Sequence, residues 1–216
     1  MKSAGLVLAA GSSRRMGRPK QLLPVDGQPL LGLVTSRVSA SRLDEVVVVL
    51  GGNAAEIEVA VHLGRARVVL NPDHALGMST SLKAGIAALG SDVERVAIVL
   101  GDQPDVSAEL IDTLLDLHET SGLAAAALSI DGLLHPPVVL DRRLWPELAS
   151  LEGDVGCRAV IRGRPEMVAS LVYEGRTGHP VDIDTPEDYR RWQVAQQTAR
   201  PQPVECGNLI TRRGGG

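Results

Sequence analysis

The chain has 216 residues, a length typical of one domain, and its 44% apolar and 22% charged residues are a globular balance that excludes a disordered chain. A net charge of -4 and an aromatic content of 2%, with no Phe, argue against a basic nucleic-acid binder and against a base-stacking platform. There is no apolar run near the roughly 20 residues of a membrane span and no evident signal segment. Because Cys157 and Cys206 are its only cysteines, we expect a cytoplasmic protein with free thiols. From its charge, its aromatic content and its short apolar runs, we expect it to bind neither nucleic acid nor membranes.

Short apolar runs alternate with helix-like segments along the chain. Continuous apolar strands that alternate with helices predict an α/β fold, with a mostly parallel sheet and helices on both faces. We predict strands at 5–10, 46–50, 67–70, 96–100, 124–130, 138–140 and 168–173, and helices at 30–40, 54–62, 79–89 and from the capping residue Ser107 onward.

The rhythm of strands and helices suggests how the chain is organised. We predict a single domain over 1–195, in which residues 133–164 break the rhythm and form an excursion on the substrate side. Residues 196–216 have little periodicity and are predicted to be a flexible tail. Ligands of parallel sheets bind beyond the carboxyl ends of the strands, so the loops 11–22, 71–81 and 101–106 are the candidate site.

The loop after the first strand is small and basic, reading Gly11-Ser12-Ser13-Arg14-Arg15-Met16-Gly17-Arg18-Pro19-Lys20. Small residues let the backbone approach a ligand and point N–H groups at it, and the cations add positive charge. The loop lacks the Gly-Lys-Ser/Thr ending of a Walker A motif and does not fit G-x-G-x-x-G. It predicts a polyphosphate site, the alternative being a solvated basic turn.

Two acidic segments are candidates for metal binding. Asp102 follows the strand at 96–100, where a carboxylate can bind Mg²⁺ on phosphate oxygens, although an Asp before Pro104 can also simply start a turn. Asp182 and Asp184 alternate in an extended segment and therefore share a face. For the next four residues, 185–188, helix capping is as good an explanation as a functional role. They provide a Thr cap, a Pro in the first turn and acidic residues at a helix start.

The first loop, from Leu8 to Lys20, resembles the L-A-A-G-x-S-x-R-M-G-x-x-K signature of the molybdenum cofactor cytidylyltransferase family, within the MobA-like nucleotidyltransferase superfamily. Gly-Asp-Gln-Pro at 101–104 is similarly characteristic, and the resemblance extends to about Trp192. It implies a Rossmann-like nucleotidyltransferase fold, phosphate binding by Arg15 and Lys20, and Asp102 as a Mg²⁺ ligand. It also implies that Asp182 or Asp184 is the second metal carboxylate, without choosing between them. The nucleotide contacts that it implies in this loop are Leu8, Ala9, Ala10, Gly11, Ser12 and Ser13.

Two further segments carry the same resemblance. Asn71, Gly77 and Ser81 match the family's N-P-x-x-x-x-G-x-x-x-S-L pattern, which implies nucleotide contacts here, with Ser79 beside them; a plain serine cap is the alternative. The segments with His135-Pro136 and Gly153-Asp154 resemble R-G-H-P-V and G-D-x-G-A-R, but the Arg-Gly pair is missing and Cys157 replaces Ala. The substrate contacts expected from the resemblance are Gln103, His135, Asp154 and His179, and no nucleophilic role is predicted for Cys157.

The resemblance implies a reaction in which the terminal phosphate of molybdopterin, or of its molybdenum form, attacks the α-phosphorus of CTP and pyrophosphate leaves. In the families that this chain resembles, the sequence Leu-Ala-Ala-Gly, with Ala10 at its third position here, accompanies use of a cytidine nucleotide. Leu-Ala-Gly-Gly accompanies use of a guanosine nucleotide. The expected partners are CTP and a phosphorylated pterin, with a molybdoenzyme or its chaperone as a further candidate. The alternatives are a sugar phosphate or other metabolite as acceptor, or a non-catalytic nucleotide-binding cofactor chaperone.

Overall fold

The computed structural model describes residues 1–13, 15–173 and 182–199, with side chains to residue 196 in the last range. Its central strands are runs of Val, Leu, Ile and Ala that are buried on both faces, as strands of parallel sheets are. The strands are β1 (Ser3–Ala9), β2 (Pro24–Val25), β3 (Gln28–Pro29), β4 (Glu45–Leu50), β5 (Arg67–Leu70), β6 (Arg95–Leu100), β7 (Ala125–Ile130), β8 (Leu133–Asp141) and β9 (Val168–Val172).

Seven of these strands form one sheet in the order β5-β4-β1-β6-β8-β7-β9. β8 runs antiparallel to both of its neighbours, and the other pairings are parallel. Strands β2 and β3 form a separate small antiparallel pair. The predicted α/β class, with a mostly parallel sheet, is confirmed.

Helices cover both faces of the sheet and bury two apolar clusters. On one face, α1 and α4 pack with Ile183, Tyr189 and Trp192. On the other face, α3, α5 and α6 pack over alternate residues of the same strands, such as Leu6 and Leu8. The helices are α1 (Leu30–Ala40), α2 (Ala54–Ala60), α3 (Met78–Ala87), α4 (Ala108–Ser121), α5 (Trp145–Ser150), α6 (Arg158–Ile161) and α7 (Pro186–Ala199).

The predicted elements are present, and apart from β8 their predicted ends lie within two residues of the observed ones. The Ser107 cap is confirmed, since its hydroxyl accepts a hydrogen bond from the Leu110 N–H at 3.2 Å. β8 is longer than predicted, so the sheet takes in residues 133–141 of the segment interpreted as an excursion. The assignment of 1–195 to one domain and of 196–216 to a tail stays a prediction, and residues 200–216 lie outside the described residues.

The three candidate loops leave the sheet at one edge. β1, β6 and β5 are parallel members of the sheet, and their carboxyl ends lead into the segments that begin at Ala10, Gly101 and Asn71. β8 enters the sheet at this same edge because it runs antiparallel to β6, which brings the segment at His135 to this side. In the part of the chain that the structure describes, no helix is long and apolar enough to cross a membrane.

Candidate active site

A buried glutamine holds the loop after β1 in shape. The Gln21 side chain is 3% exposed, and its Nε2 donates to the carbonyl oxygens of Ala9 at 2.7 Å and Gly11 at 3.1 Å. Its Oε1 accepts a hydrogen bond from Ser13 Oγ at 3.3 Å, and Ser13 Oγ accepts one from the Lys20 N–H at 3.0 Å. The loop therefore closes on itself, from the end of the strand to Lys20, before any ligand is present.

Two cations and two carboxylates meet where this loop faces the carboxyl end of β6. Lys20 Nζ donates to Asp102 Oδ2 and, at 2.8 Å, to Asp184 Oδ1. The second oxygen of Asp184 accepts from Arg15 Nη2 at 2.8 Å. The Lys20 and Asp102 side chains are only 16% and 13% exposed, so their attraction is screened less than that of a surface pair.

The electrostatics of this cluster favour the charged forms of Lys20 and Asp184. Burial lowers the pKa of Lys20, but the Asp102 and Asp184 carboxylates outweigh burial, and the pKa is raised from its ordinary value. Burial likewise raises the pKa of Asp184, but hydrogen bonds and charges from Lys20 and Arg15 outweigh it, and the net shift is downward. Desolvation and the charge of Asp102 raise the pKa of Asp182, against an opposing hydrogen bond from Gln103.

The segment 182–184 is fastened to the end of β6 by its backbone and by one side chain. The Ile183 N–H donates to the Asp102 carbonyl oxygen at 3.1 Å, and Gln103 Nε2 donates to Asp182 Oδ1 at 2.7 Å. Thr185 and Asp188 then form a reciprocal capping box at the start of α7, as expected for that stretch. Capping therefore accounts for Thr185 and Asp188, while Asp182 and Asp184 reach the site.

One observation is consistent with a divalent metal bound at the Asp102 carboxylate. Asp102 Oδ1 is buried and has no hydrogen-bond partner among the described residues, although Oδ2 is paired with Lys20. Mg²⁺ keeps several waters and needs only one or two protein carboxylates, so Asp102 with either Asp182 or Asp184 would be chemically sufficient. In the described ranges, however, no group of three or more His, Cys, Asp or Glu side chains could hold a metal ion. The metal roles of Asp102, Asp182 and Asp184 stay predictions.

The loop between β5 and α3 is organised by Asn71. This side chain is 4% exposed, and its Nδ2 donates to Thr80 Oγ1 at 2.8 Å and to Ser81 Oγ at 3.0 Å. Its Oδ1 accepts a hydrogen bond from the Asp73 N–H at 3.0 Å. Asn71 thus fixes the approach of the loop to the first turn of α3, so its observed contacts are structural.

This loop touches the segment at 153–154 through its backbone. Gly77 has φ +116°, and a Cβ there would lie 2.3 Å from the Gly153 carbonyl group. The Ser79 N–H donates to the Gly153 carbonyl oxygen at 3.2 Å, and the Met78 N–H donates to Asp154 Oδ1 at 3.3 Å. The Asp154 carboxylate therefore faces the N-terminus of α3, and the two predicted segments are brought together.

A cavity of about 150 Å³ lies among these loops and joins the charged cluster to the end of β1. That is smaller than the roughly 300–1,000 Å³ of typical ligand pockets, so it encloses only part of a nucleotide-sized ligand. Two larger cavities, of about 390 and 510 Å³, lie elsewhere and contain none of the predicted site residues. The lining of the small cavity is Leu8, Ala9, Ala10, Gly11, Lys20, Gln21, His74, Met78, Ser81, Leu100, Gly101, Asp102 and Asp154.

Sequence reasoning missed Gln21, His74 and Met78. The His74 ring lies against the Gly51-Gly52 turn, since a Cβ on Gly52 would be 2.9 Å from its Cε1 and 3.0 Å from its Nε2. Nothing in the sequence distinguishes His74 from its loop neighbours. Gln21 could have been noticed, because it is a polar residue directly before the apolar pair Leu22-Leu23.

Several predicted residues lie apart from the cavity lining. Ser12 is exposed, and His135 is a half-buried residue of β8 opposite Leu128. His179 lies outside the described residues. Cys157 is 3% exposed, and burial raises the pKa of its thiol to about 12, which agrees with the expectation that it is not a nucleophile.

Comparison with known proteins gives one family and several relatives. A model of the MobA-like NTP transferase domain matches residues 5–169. The chain is 35% identical over 197 residues to nicotine blue oxidoreductase of Paenarthrobacter nicotinovorans, which covers 87% of this chain and 94% of the relative.

Solved structures share the fold along nearly the whole chain. The homologue of Mycobacterium tuberculosis Rv0371c from Mycobacterium sp. strain JC1 has a TM-score of 0.82 at 32% identity, covering 91% of this chain and 98% of its own. Rv0371c from M. tuberculosis H37Rv, in a complex with manganese, has a TM-score of 0.76 at 29% identity, covering 88% and 97%.

Proposed function

The chain belongs to the MobA-like NTP transferase family, and from that premise we propose that it transfers CMP from CTP to the terminal phosphate of molybdopterin or of its molybdenum form. An oxygen of that phosphate attacks the α-phosphorus of CTP, and the bond from the α-phosphorus to the bridging oxygen breaks. Pyrophosphate leaves with the bonding electron pair. The observation that carries the proposal is the Lys20–Asp102 pair at the end of β6, beside a cavity that begins at Leu8–Gly11.

The residues of this chain would act by positioning and by neutralising charge. Lys20 and Arg15 lie within one cluster and supply two cations for the triphosphate. The substrate phosphate is itself the nucleophile, so the mechanism needs no protein nucleophile, and buried Cys157 takes no part.

Asp102, with Asp184 as the second carboxylate, would hold a divalent cation. When bound, such an ion supplies charge neutralisation at the phosphate oxygens. Asp102 Oδ1, which has no hydrogen-bond partner in the part of the chain that the structure describes, supports this assignment, as does the manganese complex of a structural neighbour. The cation expected in the cell is Mg²⁺. In this arrangement Asp182, held by Gln103, orients the segment that carries Asp184.

Ala10 would set the preference for CTP. It is 7% exposed and lines the cavity, so its methyl group occupies space that a purine could otherwise use. A single methyl group is worth about 1–3 kcal/mol in such discrimination, which corresponds to a preference of about 10- to 100-fold rather than exclusion of GTP. Ala10→Gly should reduce the preference, mainly by improving the use of GTP.

Three other functions make different predictions. A sugar phosphate or another phosphorylated metabolite as acceptor keeps the chemistry and changes only the compound that supports pyrophosphate release. A cofactor chaperone would bind the nucleotide without turnover when the authentic acceptor is present. The name of the 35%-identical relative raises a third, an oxidoreductase, but Gly11 and Gly17 do not form the dinucleotide fingerprint.

The test is a pyrophosphate-release assay with CTP, GTP and ATP, each with molybdopterin and with a panel of sugar phosphates, in wild type and Ala10→Gly. We expect CTP with molybdopterin to be the best pair and the ratio of kcat/KM for CTP over GTP to fall in the variant. Equal use of the two nucleotides by wild type, or a preference for GTP, would overturn the cytidylyl assignment. Turnover of NAD(P)H without any pyrophosphate release would favour the oxidoreductase.

A further inference from the structure

We infer that the Lys20 ammonium is a built-in counter-ion that occupies the carboxylates of Asp102 and Asp184 in the ligand-free protein, and that it moves to the triphosphate when a metal–nucleotide complex binds. The inference rests on the proposed metal role of Asp102, and it holds whichever nucleotide or acceptor the enzyme uses. Lys20 was predicted to bind phosphate and Asp102 to bind the metal. The inference adds that Lys20 and the metal compete for the same carboxylates.

The first support is the sharing of oxygen atoms. Lys20 Nζ contacts one oxygen of Asp102 and one of Asp184, which are the two side chains assigned to the metal. The other Asp184 oxygen accepts from Arg15, and the other Asp102 oxygen is buried with no hydrogen-bond partner within residues 1–13, 15–173 and 182–196. A divalent cation held by both carboxylates would therefore compete with the Lys20 ammonium for the negative charge of Asp102 and Asp184.

The second support is mechanical. The backbone of Lys20 is fixed, because its N–H donates to Ser13 Oγ and its carbonyl oxygen accepts from the Leu23 N–H at 3.1 Å. The side chain, in contrast, is a flexible four-carbon stem that carries a compact charge. Nζ can therefore turn from the carboxylates toward a phosphate while the loop, held by Gln21, keeps its shape.

Two consequences follow for binding. A divalent ion that arrives alone must displace the ammonium into the solvent, so its affinity for the ligand-free protein is reduced. An ion that arrives with a triphosphate brings the new partner for Lys20, so the ion and the nucleotide bind with positive coupling. The counter-ion therefore disfavours binding of a free divalent ion at these carboxylates until the nucleotide arrives.

The test measures Mn²⁺ binding to the full-length protein without nucleotide or acceptor, by the paramagnetic resonance signal of free Mn²⁺. Lys20→Met should bind Mn²⁺ at least tenfold more tightly than wild type. Arg18→Met removes a positive charge from an exposed position in the same loop and is the matched control, with an expected change below threefold. Lys20→Met combined with Asp102→Asn should lose the gain, which places the bound ion at Asp102.

Unchanged or weaker Mn²⁺ binding in Lys20→Met would overturn the inference, and so would an equal gain in Arg18→Met. Far-ultraviolet circular dichroism and thermal unfolding confirm that each variant is folded. If Lys20→Met does not fold, Lys20→Gln, which keeps a polar side chain without the charge, answers the same question. Because no nucleotide or acceptor is present, failure of the cytidylyltransferase assignment would leave this result unchanged.

Discussion

Replacing Gln21 by Leu should destabilise the protein although it changes neither the net charge nor any residue assigned to catalysis. The Ala9 carbonyl, in a residue that is 6% exposed, would lose its 2.7 Å hydrogen bond and stay buried without a partner, which costs about 1–3 kcal/mol. The carbonyl of exposed Gly11 can be solvated, so its lost bond adds only about 0.5–1.5 kcal/mol. Together these give about 1.5–4.5 kcal/mol, and at about 2–4 °C per kcal/mol for a chain of this size, a fall in Tm of about 3–18 °C.

The assay is urea unfolding followed by circular dichroism, with CTP affinity measured by calorimetry on the same samples. Gln21→Glu should be at least as damaging, because a carboxylate oxygen would face two carbonyl oxygens in place of the amide N–H groups. Gln28→Leu, at an exposed glutamine, is the control and should change stability by less than about 0.5 kcal/mol. A Gln21→Leu protein that unfolds within 0.5 kcal/mol of wild type and binds CTP normally would refute the role of Gln21 as the clamp of the loop.

Three further changes test other parts of the molecule. Asp102→Asn should lower metal-dependent turnover at least 100-fold while near-ultraviolet circular dichroism stays unchanged, and activity within threefold of wild type would remove Asp102 from the mechanism. In Cys206→Ser, Cys157 is the remaining thiol; with a pKa of about 12, it should react with Ellman's reagent at pH 8 only after unfolding, and rapid native labelling would contradict its burial. Burial and the charge of Arg95 lower the pKa of His118, so below about pH 6.5 the unfolded chain takes up a proton that the folded chain does not, and stability falls. Urea unfolding at pH 7.5 and 5.5 should therefore show a smaller loss on acidification in His118→Leu than in wild type, and equal losses would exclude His118 as a source of the pH dependence.

The sequence predicted the parallel part of the fold well because its signals are local. The helix at 30–40 and the strand at 67–70 have the predicted bounds, and β4 and β6 each begin only one residue earlier. β8 was predicted only over 138–140, because the two prolines at 136–137 argue against a strand. They fall where the register with β7 shifts between Ala127 and Leu128, a bulge at which a missing N–H is tolerated.

The candidate site was predicted as a set of loops but not as a set of contacts. The rule for carboxyl ends of strands placed Lys20 and Asp102, 82 positions apart, at one edge of the sheet. Asp184, 164 positions from Lys20, was expected there only from the family resemblance. The rule did not predict that Lys20 would pair with those carboxylates directly. Such pairing depends on side-chain direction and burial, which no periodicity in the sequence reports. Gln21 was not predicted for the same reason, since its role depends on three side-chain hydrogen bonds to the end of β1 and its own loop.

The contact between Gly77 and Gly153 has a consequence for engineering this enzyme. These two backbones lie so close that a side chain on Gly77 would meet the Gly153 carbonyl at 2.3 Å, and the Ser79 N–H is bonded to that same group. The segments 71–81 and 152–156 therefore constrain each other's shape although they are distant in sequence. A chimaera that takes one segment from a relative should keep this junction best when the other segment is transplanted with it, so the two segments are best exchanged together.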